Sequence, residues 1–291
     1  MRVLVTGGAG MVGSHVAELL ESRDDEVVII DNFATGRPEH LNNLTKADKI
    51  VDSISEERIY KEISKKYKSF DAIVHTAASF ANGNDWTDHI KTNVLGTALV
   101  TRLAQEHNCR LIYFQTALCY GPNPTKQPVP LDYPREPMAS SYAISKTAGE
   151  LYIEQSGIEF VTFRLANIVG PRNLSGPLPI FFKRIMSGEK CTIANAKRDF
   201  IDVRNLAPVV VQAVDGRGSG AYHFSSGKDV AILELYKLVV KKMSLDKEPD
   251  YDYQENSAGG PPSILLDPSR TYDDFDMPNL NPIEDTVAGA I

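Results

Sequence analysis

One tyrosine in the sequence has a lysine placed to change its acidity. Tyr142 and Lys146 lie four residues apart, so on a helix their side chains share one face. Of the 12 tyrosines, only Tyr142 is followed by a lysine at this spacing. An ammonium group beside a phenol stabilises the phenolate and lowers the pKa of the phenol toward neutrality. Tyr142 is therefore a candidate general acid or base, although one such pair also arises by chance in a chain of this length.

Thr116 is the second candidate for this chemistry. It ends a strand predicted over residues 110–116, and a helix that starts at Ser140 returns Tyr142 to the same edge of the sheet. The threonine hydroxyl is then placed to orient a substrate hydroxyl for proton transfer to Tyr142. A threonine at a strand end usually has no such function, so this prediction depends on Thr116, Tyr142 and Lys146 occurring together.

A glycine-rich turn near the start of the chain is typical of a phosphate-binding loop. An apolar run over residues 3–5 leads into Gly7, Gly10 and Gly13, and helical spacing follows from residue 14. The first glycine permits a sharp turn, the second a close approach of a pyrophosphate, and the third close packing of helix on strand. The start of the helix adds free N–H groups for the anion. By itself, the pattern also fits a turn that serves only packing.

A carboxylate follows the glycines at a spacing typical of dinucleotide-binding folds. Residues 26–31 are predicted to form a buried parallel strand that ends in Asp31, 18 residues after Gly13. A carboxylate there accepts hydrogen bonds from the adenosine ribose and would repel a 2′-phosphate. The sequence therefore favours NAD over NADP, and the alternative is an acid that merely ends a strand.

Strands and helices alternate along the first 166 residues. The further elements are predicted strands at 49–51, 71–78 and 159–165 and predicted helices at 56–67 and 87–107. This alternation predicts an α/β fold built on a Rossmann-type doubly wound parallel sheet. We therefore expect a dinucleotide-binding domain over residues 1–166.

The composition changes after residue 166. Loop signals alternate there with predicted helices at 180–187, 206–214 and 233–243 and a predicted strand at 222–224. We expect residues 167–291 to form a smaller α/β substrate-binding region that does not fold independently.

The overall composition is that of an ordinary globular protein. Hydrophobic residues make up 42% of the 291 residues and charged residues 24%, and the net charge of −7 argues against a nucleic-acid partner. Three widely separated cysteines indicate a reducing cytoplasm rather than disulfides or a metal site. The sequence contains no apolar run of 18 residues and no leader pattern, so we expect neither a membrane span nor a signal peptide.

Together these motifs resemble the extended short-chain dehydrogenase/reductase family, in its nucleotide-sugar 4-epimerase branch. The resemblance covers roughly residues 1–205, and it is strongest to short bacterial epimerases of surface-polysaccharide and O-antigen pathways. The segments that carry it, in family order, are 6–13, 31–32, 75–78, 93–94, 116–121, 142–146, 164–172 and 198–203.

The resemblance implies a cytoplasmic NAD-dependent enzyme that binds a nucleotide-diphosphate sugar, with a UDP-hexose as the expected substrate. Similar enzymes oxidise the sugar hydroxyl at C4 while the tyrosine takes its proton and hydride passes to NAD. The 4-keto sugar then turns over and hydride returns to the opposite face, so no net redox change occurs. Relatives often form dimers through a four-helix bundle, which here would use the helices near 87–107 and 140–156 and would make the chain a homodimer.

The resemblance also implies the functions of individual residues, and no metal ligands are among them. The expected catalytic residues are Thr116, Tyr142 and Lys146. Asp52 and Ser53 would hold the adenine. Asn167 would bind the sugar-nucleotide diphosphate, and Arg198 would reach the diphosphate or the nucleoside. The full set expected at NAD is Gly7, Gly10, Met11, Val12, Gly13, Asp31, Asn32, Asp52, Ser53, Ala77, Ala78, Asn93, Tyr142 and Lys146. The set expected at the substrate is Thr116, Tyr142, Asn167 and Arg198.

One departure from the family pattern narrows this interpretation, and two others widen it. Relatives that dehydrate sugars carry an Asp-Glu pair directly after the catalytic Ser/Thr, where this chain has Ala117 and Leu118, so we do not expect dehydratase activity. Gln115 stands where relatives often have a serine. Segment 259–263 lacks the arginine that many relatives place near there on the diphosphate, which leaves the base and the sugar open.

Two alternatives also remain open at this point. An NAD-dependent nucleotide-sugar reductase or dehydrogenase on the same fold would consume or produce NADH stoichiometrically. A non-catalytic NAD sensor would not need Thr116, Tyr142 and Lys146 together.

Overall fold

A seven-stranded parallel sheet forms the centre of the protein. It is seen in a computed structural model that describes residues 1–80, 85–138, 140–245, 249–255 and 263–290. The strands, in spatial order from edge to edge, are β11 (Gly220–Phe224), β6 (Phe160–Leu165), β5 (Arg110–Thr116), β4 (Ala72–His75), β1 (Arg2–Thr6), β2 (Glu26–Asp31) and β3 (Asp48–Val51). The order reverses between β1 and β4, which is the point where ligands bind in sheets of this kind.

Helices cover both faces of this sheet. The α-helices are α1 (Met11–Ser22), α2 (Glu57–Lys66), α3 (Trp86–Asp88), α4 (Thr97–His107), α5 (Ser141–Gln155), α6 (Pro177–Met186), α7 (Val203–Val214), α8 (Ile232–Lys242), α9 (Ser269–Asp274) and α10 (Ile283–Ala290). A π-helical segment lies at His89–Gly96, and 3₁₀ turns lie at Pro38–Leu41 and Ala117–Tyr120.

The two cores follow from the alternation of side chains along the strands. In β1, Val3 and Val5 face a core shared with α1 and α7, whereas Leu4 faces a core shared with α2, α4 and α5. Strands buried on both faces need near-continuous apolar sequence, and this is why the runs in β1 and β2 were recognisable. The structure confirms the predicted Rossmann-type α/β fold.

A smaller region follows the sheet and has its own apolar core, centred on Leu178, Phe181, Leu235 and Tyr236. Its strands form three pairs: β7 (Asn167–Val169) with β10 (Phe200–Asp202), β8 (Cys191–Ala194) with β13 (Tyr251–Gln254), and β9 (Lys197–Arg198) with β12 (Val230–Ala231).

The main sheet extends past the boundary that we predicted at residue 166. Strand β11 is hydrogen-bonded to β6, and α7 packs on α1 over the same face of the sheet. Both elements come from the chain after residue 166: β11 extends the sheet beside β6, and α7 covers apolar side chains of β5 and β6. The division into binding units at 1–166 and 167–291 remains a prediction, and the fold itself is continuous across it.

The long helix predicted over residues 87–107 is divided into three parts. A short α-turn (α3) and the π-helical segment precede α4. The segment between β2 and β3 contains a 3₁₀ turn that starts at Pro38. Among the described residues, no helix is both long and apolar enough to cross a membrane. The departure noted at residues 259–262 lies outside the described part of the chain.

Candidate active site

The predicted site residues gather along the carboxyl edge of the main sheet. Thr6, Asp31, His75 and Thr116 end β1, β2, β4 and β5, which are neighbouring parallel strands. The glycine loop follows β1, and α5 packs against β5. The edge therefore brings the candidate phosphate loop, the carboxylate and the acid–base residues to one side of the sheet.

The glycine loop lies against the backbone that follows β4. Gly7 has φ +70°, and a Cβ there would stand 2.6 Å from the amide nitrogen of Ala77. A Cβ on Gly13 would stand 2.8 Å from Thr76 Oγ1. Both positions therefore exclude any larger residue. After the N-cap Gly10, helix α1 opens with Met11, Val12 and Gly13, whose amides lead its positive end.

Asp31 holds the glycine loop from the side of β2. Its buried carboxylate accepts hydrogen bonds from Ala9 N (2.8 Å) and Phe33 N (2.7 Å), one on each oxygen. A carboxylate has further lone pairs to offer, so it can also accept from a ligand hydroxyl. Asn32 is exposed, and its side-chain oxygen accepts a hydrogen bond from Ala34 N.

Asp52 and Ser53 follow β3 at the outer end of the same edge. The Asp52 carboxylate forms an ion pair with Arg58 (2.6 Å), and Ser53 Oγ is 2.9 Å from Ser55 Oγ. The amide of Asp52 donates to the carbonyl of Asp31, so the two predicted positions are directly linked.

Ala77 and Ala78 continue from β4, and Asn93 fixes the chain just beyond them. The fully buried Asn93 amide accepts from Ser79 N and donates to Ser79 O, both at 2.8 Å. It also donates to Ser145 Oγ on α5. This places Asn93 as a support for the loop after β4; direct contact with a cofactor remains a prediction.

Thr116 ends β5 and caps the 3₁₀ turn that follows. Its Oγ1 accepts a hydrogen bond from Leu118 N (3.2 Å), which leaves the hydroxyl hydrogen available to donate. The side chain is half-buried. The arrangement fits a group that donates to a substrate oxygen.

Tyr142 and Lys146 lie one turn apart at the start of α5. Ser140 caps the helix by accepting from Ala143 N (3.1 Å). Tyr142 is half-buried, and Lys146 is 2% exposed with its Nζ 3.9 Å from the centre of the Tyr113 ring. The two side chains share one helix face, as the spacing predicted.

Burial shifts the pKa values of Tyr142 and Lys146 in the directions that favour their neutral forms. It raises the pKa of Tyr142 to about 12 and lowers the pKa of Lys146 to about 7, and the Glu150 carboxylate partly opposes the lowering at Lys146. We had expected Lys146 to lower the pKa of Tyr142, and this expectation was wrong for the protein alone. Desolvation of the phenol outweighs the influence of a lysine whose own charge is disfavoured.

Asn167 and Arg198 come together at the main chain of Asp199 in the smaller region. Asn167 begins β7, is exposed, and donates through both its main-chain amide and its Nδ2 to the carbonyl of Asp199. Arg198 is the last residue of β9 and directly precedes Asp199. Burial lowers the pKa of the Arg198 guanidinium. The structure thus brings these two predicted positions together.

Several residues of the site were missed by sequence reasoning. Beneath Tyr142 and Lys146, the buried Glu150 pairs with Arg164 (3.0 Å) and Arg135 (2.9 Å), and Gln115 also donates to it. Only the family motif that includes Arg164 pointed toward this network. His89 lies in the π-helical segment. Its Nδ1 is hydrogen-bonded to Ser141 Oγ (2.8 Å), and its ring lies against the Tyr142 ring.

No group of three or more His, Cys, Asp or Glu side chains that could hold a metal ion occurs within the described ranges.

Known proteins share both sequence and fold with this chain. Residues 3–224 match the family described as NAD dependent epimerase/dehydratase. The structure of the Bordetella bronchiseptica enzyme WbmH in complex with NAD⁺ is 52% identical, with a TM-score of 0.96 over 99% of this chain and 96% of that one. WbmG of the same organism, solved with NAD and UDP, is 35% identical, with a TM-score of 0.89 over 99% and 91% of the two chains.

A similar curated protein comes from Methanocaldococcus jannaschii. It is named a putative UDP-glucose 4-epimerase and is 28% identical over 266 residues, which are 86% of this chain and 85% of that protein.

We expect Lys146→Met to flatten the pH dependence of stability in protein freed of nucleotide. The pKa of Lys146 is about 7 when folded, against an ordinary value of 10.5. Between these values the unfolded chain binds more protons, so Lys146 makes the free energy of unfolding rise with pH by about 1.4 kcal/mol per unit. Lys146→Met removes this slope and is more stable near pH 7. Urea unfolding between about pH 7 and pH 10 measures it.

The matched control is Lys61→Met, which removes an exposed lysine from α2 and should leave the slope unchanged. An unaltered slope in Lys146→Met would contradict the suppressed charge at this position.

Proposed function

The chain belongs to the NAD-dependent epimerase/dehydratase family, and we propose that it inverts C4 of a UDP-linked hexose through a 4-keto intermediate. The observation that carries the proposal is the placement of Tyr142 and Lys146 on one face of α5, which packs against the strand that ends in Thr116. The glycine loop lies at the same edge of the sheet. Such a set can move a proton next to a bound dinucleotide.

The residues at the β1–β4 edge fit NAD. The contacts of Gly7 and Gly13 exclude side chains from the loop, and the opening amides of α1 offer donors to a pyrophosphate. Asp31 would accept from the adenosine ribose, and Asp52 and Ser53 would border the adenine. The remaining expected contacts are Gly10, Met11, Val12, Asn32, Ala77, Ala78, Asn93, Tyr142 and Lys146. The NAD complexes of WbmH and WbmG support this assignment. When bound, NAD supplies a hydride acceptor that returns the hydride.

Tyr142 would hold the proton of the C4 hydroxyl. Its pKa of about 12 in the protein alone is too high for a base near neutral pH. Positive charge near the phenol favours the phenolate, and both a charged Lys146 and an oxidised nicotinamide carry such charge. Thr116 would donate its hydroxyl hydrogen to the substrate oxygen and so orient it toward Tyr142.

The residues after Thr116 argue against sugar dehydration. Ala117 is buried and Leu118 partly buried, and both pack in a small apolar cluster with Cys119, Tyr120 and Val129. Neither Ala117 nor Leu118 has a group that can act as an acid or a base at C5 or C6 of the sugar. Epimerisation needs only the removal and return of a proton and a hydride at C4. The three proposed catalytic residues would serve the proton, and NAD would accept and return the hydride.

The UDP assignment rests on relatives and on two residues. WbmG was solved with UDP, and the Methanocaldococcus protein is named for UDP-glucose. Asn167, which bonds to the main chain of Asp199, would bind the diphosphate. Arg198, the residue before Asp199, would reach the diphosphate or the nucleoside, because a guanidinium suits phosphate oxygens. From the resemblance, we place the activity in the cytoplasm and in the synthesis of surface-polysaccharide sugars.

We also propose that the protein is a homodimer. Ile90 and Leu95 of the π-helical segment and Ile144, Leu151 and Tyr152 of α5 are between 42% and 58% exposed, and the two segments pack side by side. Large apolar side chains exposed on adjacent helices favour association. A second copy would bury them in a four-helix bundle.

Incubation of the protein with UDP-hexoses tests the function directly. We expect NMR to show inversion at C4 without net formation or loss of NADH. Stoichiometric NADH production or consumption would instead indicate a dehydrogenase or reductase. Absence of isomerisation with every UDP-, dTDP- and GDP-sugar would overturn the proposal.

Tyr142→Phe should lower turnover by at least about a hundredfold, the usual scale for a general acid or base. Tyr253→Phe, on the exposed face of β13, serves as the control and should turn over normally. Both rates are measured by the same NMR assay. Near-normal turnover of Tyr142→Phe would remove this residue from the mechanism.

Leu151→Glu should convert the dimer into a monomer, because a carboxylate in an apolar helix bundle is strongly disfavoured. Light scattering after gel filtration should give about twice 32.1 kDa for the parent and about 32.1 kDa for the variant. Met186→Glu, an exposed position on α6, is the control and should stay dimeric. A parent mass of one chain would contradict the dimer.

A further inference from the structure

Gln115 is a buried amide in a strand whose neighbours are apolar. It is 2% exposed and lies in β5 between Phe114 and Thr116. Side chains alternate along β5, so Leu111, Tyr113 and Gln115 share the face that α5 covers. A buried polar side chain at such a place must be satisfied by specific partners.

The two ends of the Gln115 amide bond to two different elements. Its Oε1 accepts a hydrogen bond from the main-chain amide of Thr116 (2.8 Å). Its Nε2 donates to Glu150 Oε2 on α5 (3.0 Å), with a longer contact to Thr147 Oγ1 (3.4 Å). One side chain therefore joins the end of β5 to the helix that carries Tyr142 and Lys146.

Glu150 is a fixed anchor for this bridge. Its carboxylate is fully buried and receives Arg164 Nε on Oε1 (3.0 Å) and Arg135 Nη1 on Oε2 (2.9 Å). Two guanidinium groups already compensate its charge, so the Gln115 amide is not needed for that purpose. What the amide adds is a directed link to Thr116.

We propose that Gln115 is a positioning residue that sets the Thr116 hydroxyl relative to Tyr142 and Lys146. The inference rests on the proposed function for its effect on turnover. A serine at this position would be too short to span from Thr116 N to Glu150, whereas the glutamine side chain reaches both. Loss of the bridge leaves α5 anchored by the two arginines but frees the end of β5.

Gln115→Met tests the bridge, because methionine has nearly the same length and fills the space without either hydrogen bond. We expect kcat to fall about tenfold, the scale of one to two net hydrogen bonds, and KM to change less than twofold. Hydrogen exchange of the peptide covering residues 112–121 should accelerate in the variant, with the rest of β5 and α5 unchanged. Gln115→Asn, an amide too short to reach both partners, should behave alike.

The matched control is Gln212→Met. Gln212 also bridges with its amide, accepting from Asp276 N and donating to Asp276 O (both 2.9 Å), but it lies near the end of α7. Its loss should leave kcat and the exchange of residues 112–121 unchanged. A rise in KM that accounts for the whole loss in Gln115→Met would indicate a defect in binding and would overturn the proposal.

The exchange measurement separates this proposal from the proposed function. Unchanged exchange at residues 112–121 in Gln115→Met overturns the bridge, whatever the enzyme does. Accelerated exchange with turnover within twofold of the parent overturns the positioning of Thr116. If the parent isomerises no nucleotide sugar, the proposed function fails and the exchange result alone decides whether Gln115 restrains Thr116.

Discussion

The glycine loop after β1 and the backbone after β4 approach so closely that no side chain fits between them, and the placement of the site depends on this contact. A Cβ on Gly7 would lie 2.6 Å from Ala77 N. Asp31 closes the loop from β2 by accepting from Ala9 N. Three neighbouring strands are thereby tied together at one edge, where the strand order reverses. The shape of this edge follows from steric exclusion together with one buried carboxylate.

A second constraint acts beneath Tyr142 and Lys146. Burial disfavours the charge of Lys146, whereas the carboxylate of Glu150, one turn further along α5, is paired with both Arg164 and Arg135. Buried ion pairs are costly to break, because removing one partner leaves an uncompensated charge. Helix α5 therefore has one turn anchored by ion pairs at Glu150, next to a turn at Lys146 where burial disfavours the charge.

Much of this arrangement was predictable from local patterns. Gly7, Gly10 and Gly13 follow one apolar run, and Asp31 ends the next apolar run. Both features depend on residues close together in the chain, so the sequence reveals them. The Tyr142–Lys146 spacing is likewise a property of one helix. The π-helical segment before α4 was not predictable, because its contacts are long-range: Asn93 bonds to Ser79, and His89 Nδ1 lies 2.8 Å from Ser141 Oγ on α5.

The contribution of the later chain to the main sheet was also hidden. Nothing in the local pattern of residues 220–224 distinguishes an edge strand of the large sheet from a strand of a separate unit. The pairing of β11 with β6 and the packing of α7 on α1 are long-range contacts, and parallel sheets need cover on both faces. A boundary predicted from composition alone could not include these contacts.

By itself, the sequence determined which residues can do chemistry and the order of the elements that carry them, because turns, helix faces and strand runs depend on neighbours a few residues apart. Only the tertiary structure decided how acidic those residues are. The pKa of Tyr142 moved up rather than down, since desolvation depends on everything packed around the phenol and not on the lysine four residues away. The bridge from Gln115 to Glu150 was decided in the same way, by two elements that meet only once the sheet and α5 have packed together.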